Sequence, residues 1–291
     1  MKNLPFLLLL LLLVSACKND TKTVKPIIDE DKKELRLNDS IKVTQSDKDI
    51  QNLEKIEIKR KELIEKPDEK KELEKLLVDK NFFKETDFYV LDFKYPYLNE
   101  NLKKTHVNFN EFISKKYLNI KEVEAQILED KELLCDTLRI HQIREKRIVN
   151  YKVYNVNEQL VSVLFYKENY YSGAMHPSFT FDCLNFDLER GVFMKYEDFF
   201  SQGTEEALRK IINELIFERV KSGAMFYDCW EITQDDFFRN KNNFVVDDKS
   251  VEFYFEDCVI CPAYTGEYSI IVPIEKLMPV LRRYNLNPLK A

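Results

Sequence analysis

The sequence predicts an α+β fold for residues 82–291: an antiparallel sheet with packed helices, preceded by a charged, partly helical tether. Three observations carry the prediction. Aromatic residues are absent between Phe6 and Phe82, and 36 of the chain's 37 lie from Phe82 onward, so the apolar surface needed for a core is confined to that part. Two strand-like runs, Ile148–Val156 and Gln159–Tyr166, flank the polar pair Asn157-Glu158, which is hairpin spacing. Helical stripes stand apart from these strands instead of alternating with them, which favours α+β over a wound α/β sheet.

At the front, Lys2 precedes an apolar stretch from Leu4 to Val14 that contains seven consecutive leucines, Leu7–Leu13. A membrane-spanning helix needs about 20 apolar residues, so this run has the length of a signal-peptide core instead. It ends in Val14-Ser15-Ala16-Cys17, which resembles the lipobox of bacterial lipoproteins. Residues 1–16 are therefore expected to be a signal peptide, with Cys17 the lipidation site (a palmitate-type acyl anchor) and the mature chain held at the cell envelope. That location is extracytoplasmic, either periplasmic or surface-exposed. Residues 17–81 form the expected tether. Positions 18–81 hold 17 Lys/Arg and 17 Asp/Glu, too much charge for apolar burial to offset the entropy of ordering. Glu57/Lys61 and Glu62/Lys66 are i,i+4 pairs in the favourable order, so helix is expected in part, but Pro67 interrupts it.

Within the domain, Phe88–Tyr95 reads as a strand ending at Pro96. Phe109, Phe112, Ile113 and Tyr117 make the stripe of a helix over about 107–118, continuing to about Glu132. After the hairpin, a strand is expected over Ser178–Leu188, closed by Arg190-Gly191. Thr204 stands at an N-cap position before Glu205 and Glu206, and Leu208, Ile211, Ile212 and Leu215 continue at helical spacing to about Lys221. Thr233 with Asp235 and Asp236 opens a shorter helix. Strands follow at Phe244–Val246, Val251–Phe255 and Tyr268–Val272, and Pro273 precedes a last short helix at 275–282.

The chemistry-bearing motifs are few. His106, His141 and His176 are widely spaced and form no metal-ligand pair, so no metal and no cofactor is expected. No nucleophile elbow, phosphate loop or dinucleotide fingerprint occurs, and no catalytic residue is assigned. Thr180-Phe181-Asp182 echoes the start of a polysaccharide-deacetylase metal motif without its histidines, and Asp182 reads as an ordinary strand residue. Beyond Cys17 there are five cysteines. Cys258 and Cys261 have redox-motif spacing, but the odd total and strand-end context favour one or two structural disulfides or buried thiols among Cys135, Cys183, Cys229, Cys258 and Cys261. The domain from residue 82 carries 27 basic and 34 acidic side chains, a net of −7, which disfavours nucleic acid as a partner and suits a cationic one.

The run Leu160–Tyr166, then Tyr170-Tyr171-Ser172-Gly173-Ala174-Met175-His176-Pro177, then Asn185–Gly191 and Tyr196–Phe200, resembles the extracytoplasmic domain of RsiV-type anti-sigma factors and the accessory region of PdaC-type peptidoglycan deacetylases. Phe253–Phe255, Ile260–Pro262, Gly266, Ile271–Pro273 and Leu277 resemble the ending of the same family, and the likeness spans about residues 86–284. Cys258 and Ala263 depart from it, each replacing a tyrosine. The resemblance implies two α+β modules, 82–183 like the PdaC accessory module and 184–291 like the RsiV C-terminal module. It implies a non-catalytic binding domain whose partner is a lysozyme-like cationic protein or peptidoglycan. Tyr170, Tyr171, Ser172 and His176 are the candidate contacts, since exposed tyrosines beside serine and histidine suit sugars or a protein partner. An envelope glycan hydrolase with an unmarked carboxylate site, and a structural or assembly lipoprotein, are the alternatives.

Overall fold

The structure, a computed structural model, describes residues 73–133, 144–172, 174, 177–262 and 265–282. The expected leader with Cys17, most of the expected tether, and Cys135, His141 and His176 lie outside the described residues. A mixed α+β architecture is what the described residues form. A short helical turn, α1 (Leu73–Leu76), leads into β1 (Leu77–Glu85) and β2 (Tyr89–Leu98). Next come α2 (His106–Phe112), a π-helical turn (Ile113–Tyr117) and α3 (Ile120–Leu133). Strands β3 (Glu145–Val156), β4 (Leu160–Tyr170), β5 (Ser178–Asp187) and β6 (Val192–Met194) complete a six-stranded sheet whose spatial order is the chain order. Helices α4 (Tyr196–Phe199), α5 (Glu205–Ser222) and α6 (Gln234–Asn240) precede a second sheet of β7 (Phe244–Val246), β8 (Ser250–Tyr254) and β9 (Ser269–Pro273), and α7 (Ile274–Leu277) follows.

Strand β4 sets the layering. Its run from Leu160 to Tyr166 is buried on both faces, as a strand covered from two sides must be. Val161, Val163 and Phe165 enter a core with Phe109, Ile113 and Ile127 from the helical layer. Leu164 and Tyr166 face the other way, toward Val245 and Tyr254 of the second sheet. The small sheet makes a further core with α5, where Leu208, Ile212 and Ile216 meet Phe253, Ile270 and Val272.

Strand β7 is an edge strand buried against the large sheet, so its backbone polar groups need partners. Ser162 and Asn185, themselves joined by a 2.7 Å hydrogen bond, supply them: Val246 N donates to Ser162 Oγ at 2.9 Å, and Asn185 Nδ2 donates to the Phe244 carbonyl at 2.8 Å. Buried polar residues in the middle of apolar strands thus staple the two sheets together.

Several boundaries differ from the sequence reading, each for a physical reason. The sheet is antiparallel except at β2–β3, which pair in parallel, because the α2–α3 segment between them carries the chain back across one face. Strand β2 runs through Pro96 to Leu98; past Phe93 it pairs with β1 alone, so a residue without an N–H costs nothing toward β3. Strand β1 starts at Leu77, inside the stretch expected as tether, with its charged side chains on exposed edge positions. The position 183/184, expected to separate two modules, falls inside β5.

The helix expected to run from 107 through 132 is broken by the π-helical turn and by Asn119 at φ +33°, a conformation asparagine tolerates better than most residues. Thr204 does precede α5, yet its hydroxyl bonds the Ser201 carbonyl instead of capping the helix. Thr233 caps α6 as expected, accepting from Asp236 N at 3.1 Å. Cys229 and Cys261 form a disulfide, so Cys261 pairs 32 residues back and not with Cys258. Cys183 is a buried thiol, pushed well above its usual pKa by burial and by the Glu252 and Asp182 charges. Among the described residues no helix is long and apolar enough to cross a membrane.

Candidate functional site

Tyr170, Tyr171 and Ser172 sit at the end of β4, where the strand leaves the sheet. The Tyr170 hydroxyl donates to Glu168, and Lys146 lies 5.9 Å from the centre of the Tyr170 ring. Tyr171 turns to the opposite face, where the guanidinium of Arg147 stacks 3.7 Å over its ring. Ser172 is held from two sides: its N–H donates to Glu145 at 3.4 Å and its hydroxyl accepts from Lys131 at 3.0 Å. The structure therefore gathers three of the five residues singled out from sequence into one cluster, while Cys17 and His176 lie outside the described residues.

The same end of β4 forms one wall of a cavity of about 180 Å³ between the large sheet and the helical layer. Along β4 the helix-facing positions are apolar at Val161, Val163 and Phe165, then polar at Lys167 and Asn169. Strand β3 changes likewise, from Val153 and Val149 to Arg147 and Glu145. The hydrophobic layer stops there and the cavity begins. Tyr117, Leu118 and Val123 close it from the helical side. The π-helical turn ends at Tyr117, and such turns recur at functional sites because the extra residue re-aims a side chain.

Two ion pairs organise the cavity. Arg147 donates to Glu145 at 2.6 Å with both side chains buried. Lys167 lies 2.9 Å from Asp182 and 4.0 Å from the centre of the Tyr117 ring, and the Tyr117 hydroxyl donates to Asp182 at 2.8 Å. Burial, with the Asp182 charge adding to it, pushes the Tyr117 phenol well above its usual pKa, so the hydroxyl stays a donor. Among the described lining residues there are two cations and no carboxylate; Glu145 and Asp182 pair with those cations from outside the lining. An arrangement of this kind can hold hydrogen-bond acceptors against an apolar wall.

A second polar cluster lies between the sheets. Tyr154 donates to Glu252 at 2.8 Å and meets the Tyr254 hydroxyl at 2.8 Å, while Ser269 donates to Glu252 at 2.5 Å. Burial raises both tyrosines. The Glu252 carboxylate is thereby satisfied by hydroxyls from two other strands, Tyr154 of β3 and Ser269 of β9, which makes it a clamp between layers. Among the described residues no group of three or more His, Cys, Asp or Glu side chains is placed to hold a metal ion.

Comparison with known proteins bears on the C-terminal half first. Residues 197–275 match DUF3298, a family described as a protein of unknown function. The stretch homologous to DUF3298 thus runs from α4 to α7 and leaves the cavity, built from residues 93–171, on its N-terminal side. The chain is also 23% identical over 149 residues to the peptidoglycan-N-acetylmuramic acid deacetylase PdaC of Bacillus subtilis strain 168, half of this chain and 32% of that protein. It therefore spans about a third of the length of that curated relative. A DUF3298 member from Bacteroides fragilis NCTC 9343 has a similar solved structure, with TM-score 0.53 and 17% identity over 74% of this chain and 96% of that one. A DUF3298 protein from Pseudomonas aeruginosa PAO1 gives TM-score 0.51 and 13% identity over 73% and 95%. These likenesses establish a shared α+β fold.

Sequence reasoning did not single out Arg147 and Lys167, and it read Tyr117 only as part of a helical stripe and Asp182 only as an ordinary strand residue. A usable signal existed for Arg147 and Lys167. Arg147 and Lys167 continue the inward-facing alternation of β3 and β4, so a charged residue at the next inward position marks where a core gives way to a polar pocket.

Proposed function

We propose that this chain is a non-catalytic recognition module of the cell envelope, acylated at Cys17 and presenting the β4 end as its contact surface. The observation that carries the reading is the Arg147–Tyr171 stack at 3.7 Å, which holds an aromatic ring and a cation in a fixed geometry beside a cavity. Pre-ordered aromatic and guanidinium groups lose little entropy on binding and are favoured at recognition surfaces. The substrate of the PdaC relative, a peptidoglycan deacetylase, favours peptidoglycan as the ligand. The net charge of −7 from residue 82 onward favours a second partner, a lysozyme-like cationic protein.

Pull-down of the full chain on purified sacculi and on immobilised lysozyme, each at low and high salt, separates the two. Retention on sacculi that persists in salt and drops with Tyr171→Ala is expected for peptidoglycan; salt-sensitive retention on lysozyme is expected for the cationic partner. No retention on either removes the reading, and release of soluble product from the sacculi removes its non-catalytic part. Metabolic palmitate labelling tests the anchor: label is expected on the wild type and absent from Cys17→Ala.

A further inference from the structure

The buried guanidinium of Arg147 has more donors than the chain uses. Only 8% of the residue is exposed; one terminal nitrogen donates to Glu145, the ring of Tyr171 covers one face, and Nη1 has no acceptor among the described residues. A buried donor without an acceptor is costly, and more so when charged, so such groups are rare unless a ligand completes them. Arg147 lines the cavity with Lys167 and Asn169, both inward-facing on β4, and Asn169 is its cross-strand neighbour. Leu118, Val123 and Gln126 face these polar groups from the helical layer, and Phe93 lies beside them on β2. The β3–β4 end of the space is cationic and rich in donors, and Phe93, Leu118, Val123 and Val149 make the rest of the lining mainly apolar.

We propose that this cavity binds the carboxylate of a small ligand with an apolar body, Arg147 and Asn169 donating to its oxygens and Lys167 supplying the second positive charge. A carboxylate matches the fork of a guanidinium better than a neutral acceptor does, and Nη1 is the donor that the pairing with Glu145 leaves open. The apolar part of the ligand lies against Phe93, Leu118 and Val123. A free organic acid and the C-terminal carboxylate of a short peptide present the same chemistry. The inference rests on reading the β4 end as a recognition surface, but not on which macromolecule that surface meets.

The test is titration of the full-length protein, in detergent, with benzoate and with N-acetyl-alanyl-alanine, followed by calorimetry and by chemical shifts of the arginine side chains. Benzamide and the peptide amide serve as neutral controls. At least one acid is expected to bind about tenfold or more tightly than its amide and to move the Arg147 signal. Benzoate alone binding identifies a free acid, and the peptide alone binding identifies a chain end. Arg147→Lys is expected to weaken binding at least tenfold. Should that variant unfold, Val123→Trp, which fills the apolar wall and removes no charge, is expected to abolish binding in a folded protein. Equal affinity of acid and amide, or no binding of either acid at millimolar concentration, overturns the inference. Retention on sacculi without acid binding overturns it while leaving the envelope reading intact, and acid binding without retention does the reverse.

Discussion

Arg147 stacks its guanidinium 3.7 Å above the ring of Tyr171 while donating to Glu145 at 2.6 Å, so one side chain ties the end of β4 to the start of β3. Cation–π contacts contribute about 0.5–2 kcal/mol, depending on desolvation. Tyr171→Ala is expected to cost about 1 kcal/mol in urea denaturation, and Tyr171→Phe close to nothing, because the phenyl face is retained. An equal loss in both variants would trace the effect to the hydroxyl instead of the stack.

Glu145 and Arg147 are both buried, which makes their pairing asymmetric in its consequences. Removing one partner strands a charge in low dielectric and costs about 3–5 kcal/mol, whereas replacing both with apolar groups is often neutral. Glu145→Ala is therefore expected to lower stability by roughly 3 kcal/mol or more, and Glu145→Leu combined with Arg147→Met by much less. Equilibrium unfolding of the single and double variants checks the sign of the coupling.

The Cys229–Cys261 bridge closes a loop across 32 positions and anchors Trp230, whose N–H donates to the Ile260 carbonyl at 2.9 Å. Loop-closure entropy for that separation is about 3–4 kcal/mol. Paired Cys229→Ser and Cys261→Ser substitution is expected to destabilise the fold by that order. Trp230 is the chain's single tryptophan and is partly exposed, so its emission reports the local consequence. A red shift on mild reduction, before global unfolding, is expected.

Acidification supplies another test. Burial alone would raise the Asp187 carboxyl, but hydrogen bonds from the Arg190 N–H and side chain, the Arg190 charge and the Glu189 N–H outweigh it and hold the carboxyl below its usual 3.8. A group depressed in the folded state contributes stability that is complete above its unfolded pKa and is lost as pH falls through the folded value. Wild type is therefore expected to lose stability below about pH 4 more steeply than Asp187→Asn. Denaturation midpoints at neutral and acid pH give the comparison. The turn that Asp187 organises also needs Gly191, which has φ +66° and whose added Cβ would stand 2.9 Å from Thr105 Cβ.

Those two residues belong to the stretch Asn185–Gly191 that carries the family resemblance, and their work is structural: a carboxylate closing a turn and a glycine that lets it pack on α2. The tyrosine pair at 170–171 was legible as a candidate contact because aromatic residues beside a loop need an explanation. The cavity behind it was not. In sequence, β3 was expected to begin at Ile148 and β4 to end at Tyr166, yet the strands run from Glu145 and to Tyr170. The two missing extensions, Glu145–Arg147 and Lys167–Tyr170, meet at Lys146–Tyr170 and Arg147–Asn169 and carry the polar side of the site. Charged residues read as loop by periodicity alone; here Glu145, Arg147 and Lys167 remain in strand with counter-ions, while Lys146 and Glu168 contact the ring and the hydroxyl of Tyr170.

What the sequence determined by itself is local. The aromatic boundary at Phe82, the hairpin around Asn157-Glu158, the acidic first turn of α5 and the Thr233 cap of α6 each depend on neighbours within one or two turns of chain, where spacing and propensity suffice. Tertiary structure alone decided the parallel pairing of β2 with β3, the choice of Cys229 over Cys258 as the partner of Cys261, and the convergence of Arg147, Lys167 and Tyr117. Those features depend on register between segments tens of residues apart, and register follows from which faces must be buried together.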